Sequence, residues 1–396
     1  MQEGTGMQKR MSRSFIQGAA LSLGLGLAAG IAGALAPAWA QTGATAGVLW
    51  ELRPLQGLAA QLDDIAIATG RPEVIATTPG AILAIGGPGE VRPLLRLQVG
   101  QSTGESAMLS RDASRAGILV HDHHVVSGFR LVDLQGQTLA TIDAPLNFHY
   151  RLAPDGATFV GIDAGGRHVQ ATAERFVYHF YNDAGATLAE VESHRPQSMD
   201  SAYTSDGGAF VVNNGGGLSA FRVANGERLW QVAAPAHLFA AGPADGGFVV
   251  ASADERRTAV DAYSGGSPLW RFTLAENVRQ LAVSPDGRFI LAADRGSAHL
   301  LSPQSGTPIW SFAMPDAEFT INSAAVNDRG VVALGAQHSS LTRGLALILD
   351  SDRSVLFERE LSYGRSNAWI PGVQFDTAGG SLLVRTLEEL ILVATP

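Results

Sequence analysis

The sequence predicts an all-β chain folded as an eight-bladed β-propeller of four-stranded antiparallel blades, closed by an N-terminal strand that pairs with the C-terminal blade. Three observations carry this reading. Trp230, Trp270 and Trp310 follow one another at an interval of forty residues, and Gly226, Gly266 and Gly306 each stand four positions before one of them. Asp-containing turns recur after short alternating apolar runs, at Ala153-Pro154-Asp155-Gly156, Ser205-Asp206-Gly207, Ala244-Asp245-Gly246 and Ser284-Pro285-Asp286-Gly287, with looser copies at Asp112, Asp328 and Asp376. Finally, Val48-Leu49-Trp50-Glu51-Leu52 reads as a lone outer strand, whereas the runs at 373–375, 382–385 and 390–393 read as three strands that need a fourth.

The first forty residues read as an export signal. Lys9, Arg10 and Arg13 precede an apolar run from Ala19 to Ala36, and Ala38-Trp39-Ala40 before Gln41 fits a signal-peptidase site. An uncleaved membrane anchor is the competing reading, weakened by Gly24, Gly26, Gly30 and Gly33, which dilute the run. Residues 41–396 then form one propeller domain, and the mature protein is expected in the periplasm or secreted.

Composition narrows what such a domain does. Apolar residues make up 46% and charged residues 16%, which suits a packed core rather than a disordered polymer. The formal net charge of -9 repels phosphate backbones, so nucleic acid is excluded as a partner. Lys9 is the single lysine, so a processed chain has no amine for Schiff-base chemistry. No cysteine is present, which rules out disulfides, thiolate metal ligands and cysteine lipidation.

Each repeat takes its form from its punctuation. Asp bonds its own local backbone and Gly accepts positive φ, so an Asp-Gly pair after a short apolar run makes a tight turn between strands. In the sixth repeat, 280–283, 288–294, 297–302 and 308–312 make four short strands, and four antiparallel strands in roughly 40–45 residues is a propeller blade. The place of the tryptophan is taken by Leu95, Ala140, Ala189 and Phe357 in weaker repeats and by Trp50 in the closing strand. Closure removes a free sheet edge that would otherwise pair with another chain.

Ser305-Gly306-Thr307-Pro308-Ile309-Trp310, with weaker partners ending at Trp230 and Trp270, resembles the tryptophan-docking motif of pyrroloquinoline-quinone-type propeller repeats. Ser284-Pro285-Asp286-Gly287-Arg288 is similar to the inter-strand turn of WD40-like repeats. The quinone-type motif has an Asp eight positions before its tryptophan, where this chain has Arg222, Ala262 and Ser302. The resemblance implies the fold, and two tasks. One is a non-catalytic scaffold that binds an envelope protein or small ligand, as in the propeller that assists outer-membrane protein assembly. The other is a periplasmic oxidoreductase, or the propeller subunit of a dehydrogenase, with a quinone or metal at the channel mouth.

Function is expected on the face opposite the Asp-Gly turns, where connections differ in composition and length, with insertions around Ala164–Glu174 in blade 3 and Gly335–Gly344 in blade 7, and where His149, His194 and His237 stand at entries to inner strands. His121, Asp122, His123, His124, His149, His168, His194 and His237 are the candidate binding residues there. Imidazole ligates metals when neutral and binds carboxylates when protonated, so a divalent metal is the cofactor class this set would take, with His121 and His123 as candidate ligands on one face of an extended segment. No nucleophile elbow or His-Glu-x-x-His is present. The catalytic set is empty, and the leaning is towards a non-enzyme.

Overall fold

The computed structural model describes residues 47–53, 62–99, 103–122, 125–143, 148–163, 175–194, 196–214, 217–233, 236–243, 248–252, 257–362, 372–386 and 389–395. All lie in one compact unit spanning 43–396. Residues 1–40, where an export signal is expected, fall outside them.

Eight four-stranded antiparallel sheets follow one another along the chain. Blades 1 to 7 occupy 65–96, 103–142, 148–194, 196–232, 238–273, 280–313 and 319–362, and blade 8 is made of Gly372–Phe375, Ser381–Arg385 and Leu390–Ala394 completed by Val48–Leu52. The predicted closure is therefore present. Trp50 pairs with Leu392 and Leu52 with Leu390, so a strand from the start of the domain becomes the outer edge of its last sheet.

The apolar core is divided. Eight clusters of buried side chains each join one blade to the next, from Ile75, Ile118 and Val132 between blades 1 and 2 to Phe357, Phe375 and Val393 between blades 7 and 8. The cluster at the seam holds Trp50, Leu52 and Leu392 of blade 8 against Ile65, Ile67 and Val74 of blade 1. Closure of the ring thus rests on the same packing as every other joint.

The docking position is confirmed in all eight blades by register. The outer strand always carries a β-bulge there: Trp310 faces Leu300 but Pro308 faces Leu301, and the same one-residue slip occurs at Leu95, Ala140, Ala189, Trp230, Trp270, Phe357 and Trp50. The extra residue in each bulge is aliphatic: Leu49, Leu94, Leu139, Leu188, Leu229, Leu269, Ile309 and Leu356. A bulge bends and twists an edge strand, which spoils it as a template for a foreign strand.

Glycine before the tryptophan has a steric cause. Gly306 has φ +67, and a Cβ on it would stand 2.4 Å from the ring of Trp270 in the preceding blade. Gly266 likewise lies over Trp230, Gly226 over Ala189 and Val191, and Gly87 over Trp50 at the seam. Each glycine is the flat floor on which its neighbour's docking residue rests. The Nε1 of Trp270 donates to Pro303 O and that of Trp50 to Pro72 O, both at 2.7 Å and both in the next blade. The Nε1 atoms of Trp230 and Trp310 are buried with no acceptor.

Blade 7 departs from the pattern. Arg353 stands four residues before Phe357 with φ +74, in the place of the glycine. Its turn has the bonding of the Gly136 turn: Asp350 N donates to Ser354 O and Arg353 N to Asp350 O. Sequence reading also expected an insertion around Gly335–Gly344. The residues instead lengthen two paired strands, Val332–His338 and Arg343–Leu349, because Ala336, Leu345 and Leu347 continue the alternating buried face.

Two tests follow from this packing. Gly306→Ala should lower unfolding free energy by about 2–4 kcal/mol, from left-handed strain plus overpacking against Trp270; Arg353→Gly should raise it by about 1 kcal/mol. Urea titration followed by tryptophan fluorescence measures both, and equal effects would refute the steric account. The second concerns His299, half-buried between blades with its Nδ1 2.8 Å from Ser311 Oγ and its ring edge-on to Phe272. Burial holds its pKa below the ordinary 6.5, against a smaller opposing effect of Asp294. The unfolded chain therefore takes up this proton first, so stability is full above 6.5 and falls as pH drops towards the folded value. His299→Gln should lose less melting temperature than the parent between about pH 7 and pH 5; parallel pH profiles would show that this histidine contributes nothing.

Candidate functional site

Turns between the first and second strands of the blades gather on one face. In blade 6, Asp286 Oδ1 accepts Ser284 Oγ at 2.8 Å and Arg288 N at 3.0 Å, and Gly287 N donates to Ser284 O. Blade 4 repeats this with Thr204 Oγ1 and Gly208 N on Asp206, and blade 2 with Ser110 Oγ and Ser114 N on Asp112. The aspartates are therefore turn formers, with their oxygens committed to the local backbone. Hydrogen bonds to its Oδ atoms hold the carboxyl of Asp286 below the usual range despite some burial, whereas burial and the neighbouring Asp286 raise that of Asp328.

One residue after the start of each turn, the eight blades carry equivalent residues that follow one another round the turn face. This ring is Thr69, Arg111, Pro154, Ser205, Pro243, Pro285, Asp328 and Thr377. Its members bond across blades: Thr69 Oγ1 is 2.8 Å from Thr377 Oγ1, Ser205 Oγ donates to Pro285 O at 2.5 Å, and Asp328 Oδ1 accepts the N–H of Asp286, which follows Pro285, at 2.8 Å. The bond from Ser205 to Pro285 spans from blade 4 to blade 6.

Just inside the ring lies a cavity of about 370 Å³, lined by inner-strand residues from seven of the eight blades, among them Asp64, Leu109, Arg111, Leu152, Ser205, Val283 and Gln374. Asp64 is held in place by two backbone donors, Ile65 N to Oδ1 and Leu109 N to Oδ2, both at 2.8 Å. Arg111 is mostly buried, and desolvation lowers its pKa against the opposing fields of Asp328 and Asp376. The cavity is the lower end of the central channel. It opens on the uniform face, not on the face where the histidines were expected.

The opposite face shows the predicted variety. Strands two and three are joined there through 164–174 in blade 3 but through 215–216 in blade 4, and the link from the closing strand to blade 1 covers 53–64. On the turn face, the link between strands one and two covers 110–114 in blade 2, 204–208 in blade 4 and 376–380 in blade 8.

The described candidate histidines lie in blades 2, 3 and 5. His121 sits near the end of Arg115–Asp122, paired with Gly104 and Val126, with Asp122 as the final strand residue. His149 lies in the inner strand Phe148–Leu152, where partial burial and the charge of Arg151 hold its pKa below the usual value. His194 ends the outer strand Thr187–His194 of blade 3, one strand earlier in the path than the inner-strand start expected for it. His237 stands one residue before the inner strand of blade 5, its N–H on Ser252 O. His123, His124 and His168 lie outside the described residues. Among the described residues no three His, Asp or Glu side chains come together as a metal site.

A quinone cofactor carrying several carboxylates would need several cations converging on the axis. The cavity lining offers one guanidinium, Arg111, beside the carboxylate of Asp64. Arg151 donates to its own strand at Tyr150 O, and the four described tryptophans are all held between blades. This donor set does not fit such a group.

Sequence reading missed Arg111, Gln374 and Asp64. A signal for Arg111 was present, since Pro154, Ser205 and Pro285 precede the turn aspartate where blade 2 has an arginine. Gln374 and Asp64 carry no comparable mark, because nothing in a strand pattern says which residue faces the axis.

The family model described as "Outer membrane protein assembly factor BamB" matches residues 173–328, from blade 3 into blade 7. No curated protein matches the chain. Among solved structures, the C-terminal WD40 domain of Sif2 is similar with a TM-score of 0.61 at 14% identity, over 89% of this chain and 100% of that one. Saccharomyces cerevisiae Sqt1 follows with 0.56 at 11% identity, over 89% and 100%, and the computationally designed Ika8 protein with 0.55 at 14%, over 88% and 100%. At these identities the likeness is one of fold, and the chain is a β-propeller of PQQ-like and WD40-like repeats.

Proposed function

We propose that this chain is an exported, periplasmic β-propeller that serves as a non-catalytic scaffold, binding an envelope protein through the face opposite the Asp turns. The observation that carries the reading is the asymmetry between the two faces. One is held uniform by repeated Asp turns, and the other joins equivalent strands through segments as different as 164–174 and 215–216. Variation on one side of a rigid ring is the arrangement of a recognition surface, because loops can differ there without disturbing the joints that hold the blades. The match to a family model of an assembly factor supports a protein partner in the envelope.

The face can be tested directly. A photo-crosslinking residue placed at His121, His237 or Leu341 should trap one recurrent envelope protein in living cells, while the same residue at Asp155 or Asp286 on the turn face should trap none. Crosslinks from the turn face alone, or from neither face, would sink the scaffold reading. Cell fractionation of the same strain tests export, with the processed chain expected in the periplasmic fraction.

A further inference from the structure

We propose that the channel mouth on the Asp-turn face is a binding site for a small monocarboxylate, held by the guanidinium of Arg111 and the carboxamide of Gln374. This site is distinct from the variable face and does not depend on the scaffold reading.

The first observation is the exception in the ring. Seven blades place Thr, Pro, Ser or Asp at this turn position, whereas blade 2 places an arginine, Arg111, which lines the cavity. The second is the state of that arginine. A guanidinium there only to neutralise its neighbours would donate to them, yet among the described residues none of its N–H groups reaches an acceptor. Asp328 Oδ1 accepts Asp286 N, and Asp376 Oδ1 accepts Gly380 N. Both acids act on Arg111 through space alone. A guanidinium on the cavity wall with no acceptor among the described residues has its fork of donors available, and a carboxylate answers that fork with two parallel hydrogen bonds.

The remaining lining groups define the ligand. The hydroxyl hydrogens of Ser110 and Ser205 are committed to Asp112 and Pro285, and Asp64 already accepts two backbone N–H groups. Gln374 makes no side-chain hydrogen bond among the described residues, and so supplies a second uncommitted donor on the cavity wall, from blade 8. Asp64 lines the cavity and Asp328 and Asp376 lie within electrostatic range, so each negative charge beyond the one that Arg111 pairs adds repulsion without a partner. One carboxylate on a small body fits both the charge and a volume of about 370 Å³.

Saturation-transfer NMR of the purified protein with propionate tests this. The parent should show a saturable signal that citrate fails to displace. Arg111→Gln should weaken binding by about tenfold or more, and Arg111→Lys, which keeps charge without a fork of donors, by a lesser factor. Asp328→Asn retains an oxygen for Asp286 N but removes a repelling charge, and should tighten binding by roughly three- to tenfold. A short peptide that competes with its free C-terminus but not as the amide would assign the site to a chain end; competition by neither leaves a free small molecule as the occupant. No saturable signal in the parent, or equal signals in the parent and Arg111→Gln, would overturn the proposal. Should Arg111→Gln fail to fold, unchanged affinity in Arg111→Lys would overturn it equally.

Discussion

No blade of this protein can cover its own apolar faces. Each sheet is four short strands wide and apolar on both sides, so its buried residues belong to joints with its two neighbours rather than to itself. Such an array is stable only when its last member meets its first, and the joint of Trp50, Leu52 and Leu392 with Ile65 and Val74 supplies that meeting. The bulges, the glycine floors and the Asp turns all keep neighbouring blades at the distance this packing requires.

Much of the scaffold was legible because its periodicity is carried by residues with steric necessity. Gly226, Gly266 and Gly306 must lack a Cβ, and Trp230, Trp270 and Trp310 must fill the space above the neighbouring turn, so both types recur at fixed positions in the sequence. Even weak copies such as Ala140 and Ala189 were placed correctly, since the turn before each fixes the register. The bulge was not legible. An aliphatic residue before the docking position looks like ordinary strand alternation, and only the pairing of Leu300 with Trp310 and Leu301 with Pro308 shows that Ile309 faces no partner.

The candidate sites were legible to a smaller degree, for a physical reason. Histidine recurs in this chain without a common spacing, so sequence could place each on a blade but not bring any two together. His149 on the inner strand and His194 on the outer strand of one blade have two further strands between them, a separation that no sequence spacing states. Arg111 illustrates the converse. It is one residue within a turn whose copies are otherwise Pro, Ser or Asp, and a single departure carries no meaning until the ring places it on the axis.

Closure and function are linked through this geometry. Because both apolar faces of every blade are consumed by the joints, what remains for a partner is the strand-end segments on one face, the channel mouth on the other, and the outer edges, where Leu49, Leu269, Ile309 and Leu356 are exposed. The Asp turns fix the turn face by committing their own oxygens, which removes most acceptors and donors from it. A side chain left uncommitted on such a surface stands out against a background in which its neighbours are all bonded. That contrast, more than charge or exposure, separates Arg111 and Gln374 from the aspartates around them. On the other face the links between equivalent strands differ in length, from 215–216 to 164–174, so no single connection is imposed on all blades there.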